Sequence, residues 1–146
     1  MPVRPALRLA AVLPLAPLLA AAAPAADLEV TLERLRNGKG ELQLCLTREA
    51  AHFPDCRGDP RAVTRTVPAT TRVVRFSGLA PGGYALSVFH DENRNRKLDM
   101  TLMIPREGFG FSRNPVVRFA APKFRQVRID LPAGFSRQVV RMQYVL

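Results

Sequence analysis

The sequence predicts an all-β protein: a single antiparallel β-sandwich of about seven strands, Greek-key in its connections and immunoglobulin-like or transthyretin-like in form. Three observations predict it. Apolar residues recur at every second position, the period of a strand with one buried face. Turn signals built from Gly, Pro and Asn separate those segments. No segment after residue 25 shows a helix of ordinary length.

The elements follow in order. Leu28, Val30 and Leu32 alternate with Glu29, Thr31 and Glu33. Leu42, Leu44 and Leu46 alternate with Gln43, Cys45 and Thr47. Asn37-Gly38 lies between these two segments and predicts an antiparallel hairpin joining them. Residues 48–53 suit a single helical turn, and Pro54, Gly58, Pro60 and Pro68 keep the following connection irregular. Residues 71–76 are rich in β-branched side chains and read as a strand. After a turn at 77–83, Tyr84, Leu86, Val88 and His90 share one strand face, with Ala85, Ser87 and Phe89 on the other. Residues 91–99 and 105–115 are loops. Val127, Ile129 and Leu131 predict another strand, and Val140, Met142, Tyr144 and Leu146 a last one.

The N-terminus predicts export. Arg4 and Arg8 precede an uncharged run of Leu and Ala that closes in Ala23-Pro24-Ala25, the layout of a secretory signal peptide. Residues 1–25 are therefore read as the signal peptide and 26–146 as one domain, periplasmic or extracellular. Pro14 and Pro17 interrupt the run, which argues against an uncleaved anchor, and no later apolar stretch would span a bilayer. In an oxidising compartment, Cys45 and Cys56 predict a disulfide, the alternative being two separate thiols. With two cysteines and no His between them that suits a zinc site, only His52 lying in that interval, structural zinc is not expected.

The formal charge is +10, and about +8 without the first 25 residues. The arginines are scattered, so no specific nucleic-acid site is expected. An anionic envelope polymer or membrane surface is the partner that the charge suggests.

Chemistry concentrates at 84–99. Asp91, Asn93, Asn95 and Asp99 place side-chain oxygens at the first, third, fifth and ninth positions of a tight loop, as calcium-binding loops do. Arg96 replaces the usual glycine, and no bidentate Glu follows at the twelfth place. The competing reading is a turn held by Asx hydrogen bonds to backbone N–H groups. No cofactor is expected beyond that calcium ion. His90 and Asp91, as strand neighbours, point to opposite faces and so do not act as a catalytic pair. A glycan hydrolase or lyase using His90 with Glu107 or Asp99 is a rival, but Ser77, Ser87, Ser112 and Ser136 sit in no nucleophile motif. No catalytic residue is assigned, and a non-enzymatic binding or structural role is expected. Phe109 and Phe111, on a Gly-rich backbone, either form a surface patch for a ligand or fold back to seal a sheet end.

The run from Phe76 to Asp99, FSGLAPGGYALSVFHDENRNRKLD, and the following IPREGFGFSRN resemble the bacterial exported family DUF2141. Its G-x-Y-A-x-x-x-x-H-D-x-N-x-N segment is matched from Gly82 to Asn95. Its second motif is matched by Pro105, Glu107, Gly108, Gly110, Phe111, Ser112 and Asn114. The resemblance covers residues 28–144. It departs where Arg94 and Arg96 replace expected glycines, and where Arg113 separates Ser112 from Asn114. It implies an exported β-sandwich, similar in fold to transthyretin-like and Cna B-type modules, and it implies no activity.

Overall fold

A computed structural model describes residues 21–146; the basic residues and most of the apolar run of the expected signal peptide lie outside the described residues. Regular structure begins at Ala26, the residue that follows the expected cleavage point. The strands are β1 (Ala26–Glu33), β2 (Glu41–Thr47), β3 (Val63–Pro68), β4 (Val73–Leu79), β5 (Gly82–Asp91), β6 (Met100–Thr101), β7 (Ile104–Pro105), β8 (Phe109–Phe111), β9 (Ile129–Leu131) and β10 (Gly134–Arg141). A 3-10 turn at Ala50–His52 and a single helical turn, α1 (Phe124–Val127), complete the list. Among the described residues no helix is long and apolar enough to cross a membrane.

Two sheets face each other. One has the order β10-β1-β4, and the other β3-β2-β5-β8 with β9 on the remaining length of β5. All pairs are antiparallel except β1 with β10, which run parallel from Ala26↔Gly134 to Glu33↔Arg141. The alternation seen in the sequence decides the packing. Leu28, Val30, Leu32, Val74, Phe76 and Val140 from one sheet meet Leu42, Leu44, Leu46, Tyr84, Leu86 and Val88 from the other in one buried core. Burying side chains of this size stabilises the fold by roughly 1.5–3 kcal/mol each.

The hairpin expected across Asn37-Gly38 does not form. β1 pairs with β4 and β10, whereas β2 pairs with β3 and β5, so residues 34–40 cross from one sheet to the other. Both leucine-rich faces look into the same core from opposite sides, and alternation alone does not distinguish this from side-by-side pairing. The tight point of the crossing is Gly40, at φ 70°, rather than Gly38. Val127 also departs from expectation: it closes α1 and fills a second apolar cluster with Ala85, Phe109 and Phe111 on the outer face of β5.

Cys45 and Cys56 form a disulfide with Cα atoms 5.7 Å apart. The bridge fastens the 53–57 segment to the outer face of β2 and, in the chain-entropy model, stabilises the fold by about 3 kcal/mol. On the middle strand of the first sheet, Glu29 stands opposite Arg75 and Arg137. The hydrogen bond from Arg75 holds its carboxyl below the usual carboxylate range.

Candidate functional site

β5 ends in His90-Asp91, both fully buried although the chain leaves the sheet there. The strand's pleat sends the two side chains apart, as expected, and each ties down a different piece of chain.

His90 lies on the core side. Its Nε2 is 2.7 Å from the Lys39 carbonyl oxygen, and its Nδ1 is 2.9 Å from the Tyr144 hydroxyl. A carbonyl only accepts, so Nε2 carries a proton, and in the neutral imidazole Nδ1 accepts from Tyr144. The Tyr144 oxygen in turn accepts from the Arg36 backbone N–H at 3.3 Å. Burial pushes the Tyr144 hydroxyl above the ordinary phenol range, which keeps it a donor. The Arg36 guanidinium lies 4.6 Å over the Tyr144 ring and donates to Glu92 Oε1 (2.6 Å), to the Leu146 carbonyl (2.6 Å) and to the Arg106 carbonyl (2.9 Å). One histidine and one arginine thereby join the inter-sheet crossing, the end of β5 and the C-terminal segment.

Asp91 faces the other way. Its Oδ1 accepts from the Asn95 N–H at 3.0 Å and its Oδ2 from the Arg96 N–H at 2.7 Å. Asn93 Oδ1 accepts from the Asn95 N–H and Asn95 Oδ1 from the Lys97 N–H. The side-chain amides of Asn93 and Asn95 donate to the two oxygens of Asp99 at 2.6 and 2.8 Å. In this arrangement the four side chains bond to one another and to backbone N–H groups in the Asx pattern. A calcium ion in this loop would have to exchange with those bonds. Among the described residues, no group of three or more His, Cys, Asp or Glu side chains is placed to hold a metal ion.

Glu107 connects the two loops. It is buried, and its oxygens accept from the Glu92 N–H (2.9 Å) and the Asp99 N–H (3.1 Å), one at each end of the Asn-rich loop. The glycines of the second motif permit close approach. A Cβ on Gly108 would sit 2.3 Å from the Tyr144 ring, and one on Gly110 2.7 Å from Val140. Phe109 and Phe111, between them, turn to the outer face and pack with Phe53, Phe124 and Val127. Ser112 Oγ donates to the Val127 carbonyl and accepts from the Leu86 N–H. Asn114 donates to the Val139 carbonyl and accepts from the Arg141 N–H, so its side chain pairs with β10 as a short strand would.

Sequence reasoning missed Tyr144, Arg36 and the Lys39 carbonyl as partners of His90. The usable signal was a histidine and a tyrosine on inward strand faces, each needing a polar partner. His52 lies with Nδ1 2.7 Å from the Arg57 carbonyl oxygen.

Arg94 and Arg96 have φ values of 62° and 60°, the left-handed conformation that glycine adopts without steric penalty. The loop therefore keeps the backbone the motif leads one to expect and carries the strain of two L-residues. Arg94→Gly and Arg96→Gly are expected to stabilise the domain by about 0.5–1 kcal/mol each, read from denaturant melts.

Partial burial pushes the Glu92 carboxyl up, but the hydrogen bond and charge of Arg36 outweigh this and hold it below the usual carboxylate range. A folded-state pKa below the unfolded value gives stability that is present above the unfolded pKa and lost as pH falls through the folded one. The melting temperature is thus expected to hold at neutral pH and to fall below roughly pH 4, with a flatter profile in Glu92→Gln.

Below this knot, the outer face of β2 and β5 carries a groove of about 490 Å³. Phe89, Phe109, Phe111 and Leu98 line its apolar part, and Arg57, Arg96 and Lys97 bring positive charge, with Asp55 opposing.

A two-sheet β-sandwich whose H-D-x-N-x-N strand end is latched to a P-x-E-G-x-G-F-S segment is the class of domain that the fold and the site define. The chain belongs to the bacterial family described as "Uncharacterized protein conserved in bacteria (DUF2141)", whose model matches residues 30–139. No curated protein and no solved structure matches it.

Proposed function

We propose that this chain is an exported, non-enzymatic β-sandwich with a binding or structural role in the periplasm or at the cell surface, released from a signal peptide that ends at Ala25. One observation carries the non-enzymatic part: the polar groups that suggested chemistry are already bonded within the fold. Both nitrogens of His90 and both oxygens of Asp91, Asp99 and Glu107 are engaged within the fold. A substrate that used any of them would compete with those bonds. The disulfide suits an oxidising compartment, and the start of β1 at Ala26 suits cleavage before it. The groove, in the size range of small-ligand sites, has an apolar lining and a cationic rim that suit an amphiphilic anion.

Cell fractionation with N-terminal sequencing tests the export. The expected product is an oxidised protein starting at Ala26 outside the cytosol; intact precursor in the cytosol overturns the reading. Titration with an aromatic sulfonate dye tests the groove. Saturable binding, weakened about tenfold by Phe89→Asp, is expected. A native protein that takes up no dye leaves the groove without a role.

A further inference from the structure

The β6–β7 hairpin leaves two large apolar side chains uncovered at its tip. Leu102 is 91% exposed and Met103 87%, with Met100 at 50% and Ile104 at 39% beside them. Isolated exposed apolar residues are ordinary, but a contiguous group at the end of a projecting hairpin is not. Thr101 pairs with Ile104, so Leu102-Met103 is a two-residue turn with positive φ at both centres, 49° and 64°. Such turns strongly favour Asn-Gly. Here two bulky residues occupy strained positions and gain no contact within the fold that would offset the strain. Left-handed strain also falls on Arg94 and Arg96; at 102 and 103 it coincides with large apolar side chains left in the open.

The charge in the segments that flank this hairpin is one-sided. Arg94, Arg96, Lys97 and Arg106 are exposed, and none is in an ion pair among the described residues. The carboxylates of the same stretch are turned inward or engaged: Asp91 and Glu107 are buried, Glu92 is paired with Arg36, and Asp99 accepts from Asn93 and Asn95. The hairpin is therefore apolar at its tip and is flanked in the chain by exposed, unpaired cations.

We propose that this hairpin docks the protein on an anionic lipid surface. Leu102 and Met103 enter the boundary between headgroups and acyl chains, and Arg94, Arg96, Lys97 and Arg106 lie against lipid phosphates. A dissolved polyanion would answer the charge but would have nothing to receive the two apolar side chains. The net positive charge of residues 26–146, about +8, draws the whole domain toward the same surface. The inference rests on reading this end of an exported protein as its working surface, and it names the partner.

Residues 26–146, which contain all of the described core, provide the test in flotation with vesicles. The protein is expected to float with phosphatidylglycerol–phosphatidylcholine vesicles at low salt and to stay behind with phosphatidylcholine alone. The double variant Leu102→Asn/Met103→Gly suits the turn better, so its melting temperature should not fall, yet its partition should drop about tenfold or more. Phe135→Asn, exposed at the opposite end of the sandwich, should float as the parent does. Failure of the parent to float, equal flotation with phosphatidylcholine alone, or unchanged flotation of the double variant each overturns the proposal. The last of these means attachment by charge alone, as to an anionic polymer. Loss of vesicle binding with export intact removes only the anchor, whereas precursor confined to the cytosol removes the function proposed above.

Discussion

Gly40→Ala is expected to cost the domain about 3 kcal/mol or more. A Cβ at this position would lie 2.0 Å from the Asp91 carbonyl oxygen and 2.7 Å from Glu92 Cα, and the residue has φ 70°. Both obstacles are backbone, so no side chain can swing aside. The crossing between sheets and the end of β5 would have to separate, which also pulls the Lys39 carbonyl from His90. Gly38→Ala is the control: its Cβ would meet the Thr70 methyl group at 3.1 Å, a side-chain atom able to shift. Urea melts of the two variants should differ severalfold in lost stability, with Gly38→Ala within about 1 kcal/mol of the parent.

The second large effect is expected at Glu107. Glutamine preserves its shape but sets an NH2 group against one of the two backbone N–H donors, Glu92 or Asp99. A buried donor left without an acceptor costs about 1–3 kcal/mol, and hydrogen bonds to charged groups are at the upper end. A loss of about 2–3 kcal/mol is therefore expected for Glu107→Gln, and similarly for Asp91→Asn. Both carboxylates fasten the same loop, so the double variant should lose less than the sum of the two. Full additivity in a double-mutant cycle would mean that the two anchors act independently.

The fold was legible where one rule sufficed. Alternation marked the inward faces of β1, β2 and β5 correctly, because a half-buried strand leaves no other solution. It did not say which sheet each strand joins, since Leu28, Val30 and Leu32 and Leu42, Leu44 and Leu46 satisfy the same core from opposite sides. Asn37-Gly38 was misleading for a related reason. Asn37 Oδ1 accepts from the Lys39 N–H in a local turn, and the chain then passes on to the other sheet.

The site was legible as a place and only partly as a mechanism of attachment. Residues 91–99 suit either a calcium loop or an Asx-bonded turn, and the bonds in the structure are of the Asx kind. What spacing left open was the reach of Glu107 across to the Glu92 and Asp99 amides, because that depends on how a short hairpin returns the chain. The pairing of His90 with Tyr144, 54 residues away in sequence, depends likewise on the C-terminal segment passing Phe109 after β10. The sequence leaves Phe109 and Phe111 open as either a patch or a seal. They are buried over the outer face of β5 and also line the groove there, so the two descriptions meet in one place.

Asp91 and Glu107 anchor an otherwise exposed loop by accepting from its backbone N–H groups. Residue-resolved hydrogen exchange on the native protein reads that anchoring. The Arg96 and Asp99 amides should exchange at least about 100-fold more slowly than those of Arg94 and Leu98, which find no acceptor among the described residues. Equal, unprotected exchange at all four positions would contradict the claim.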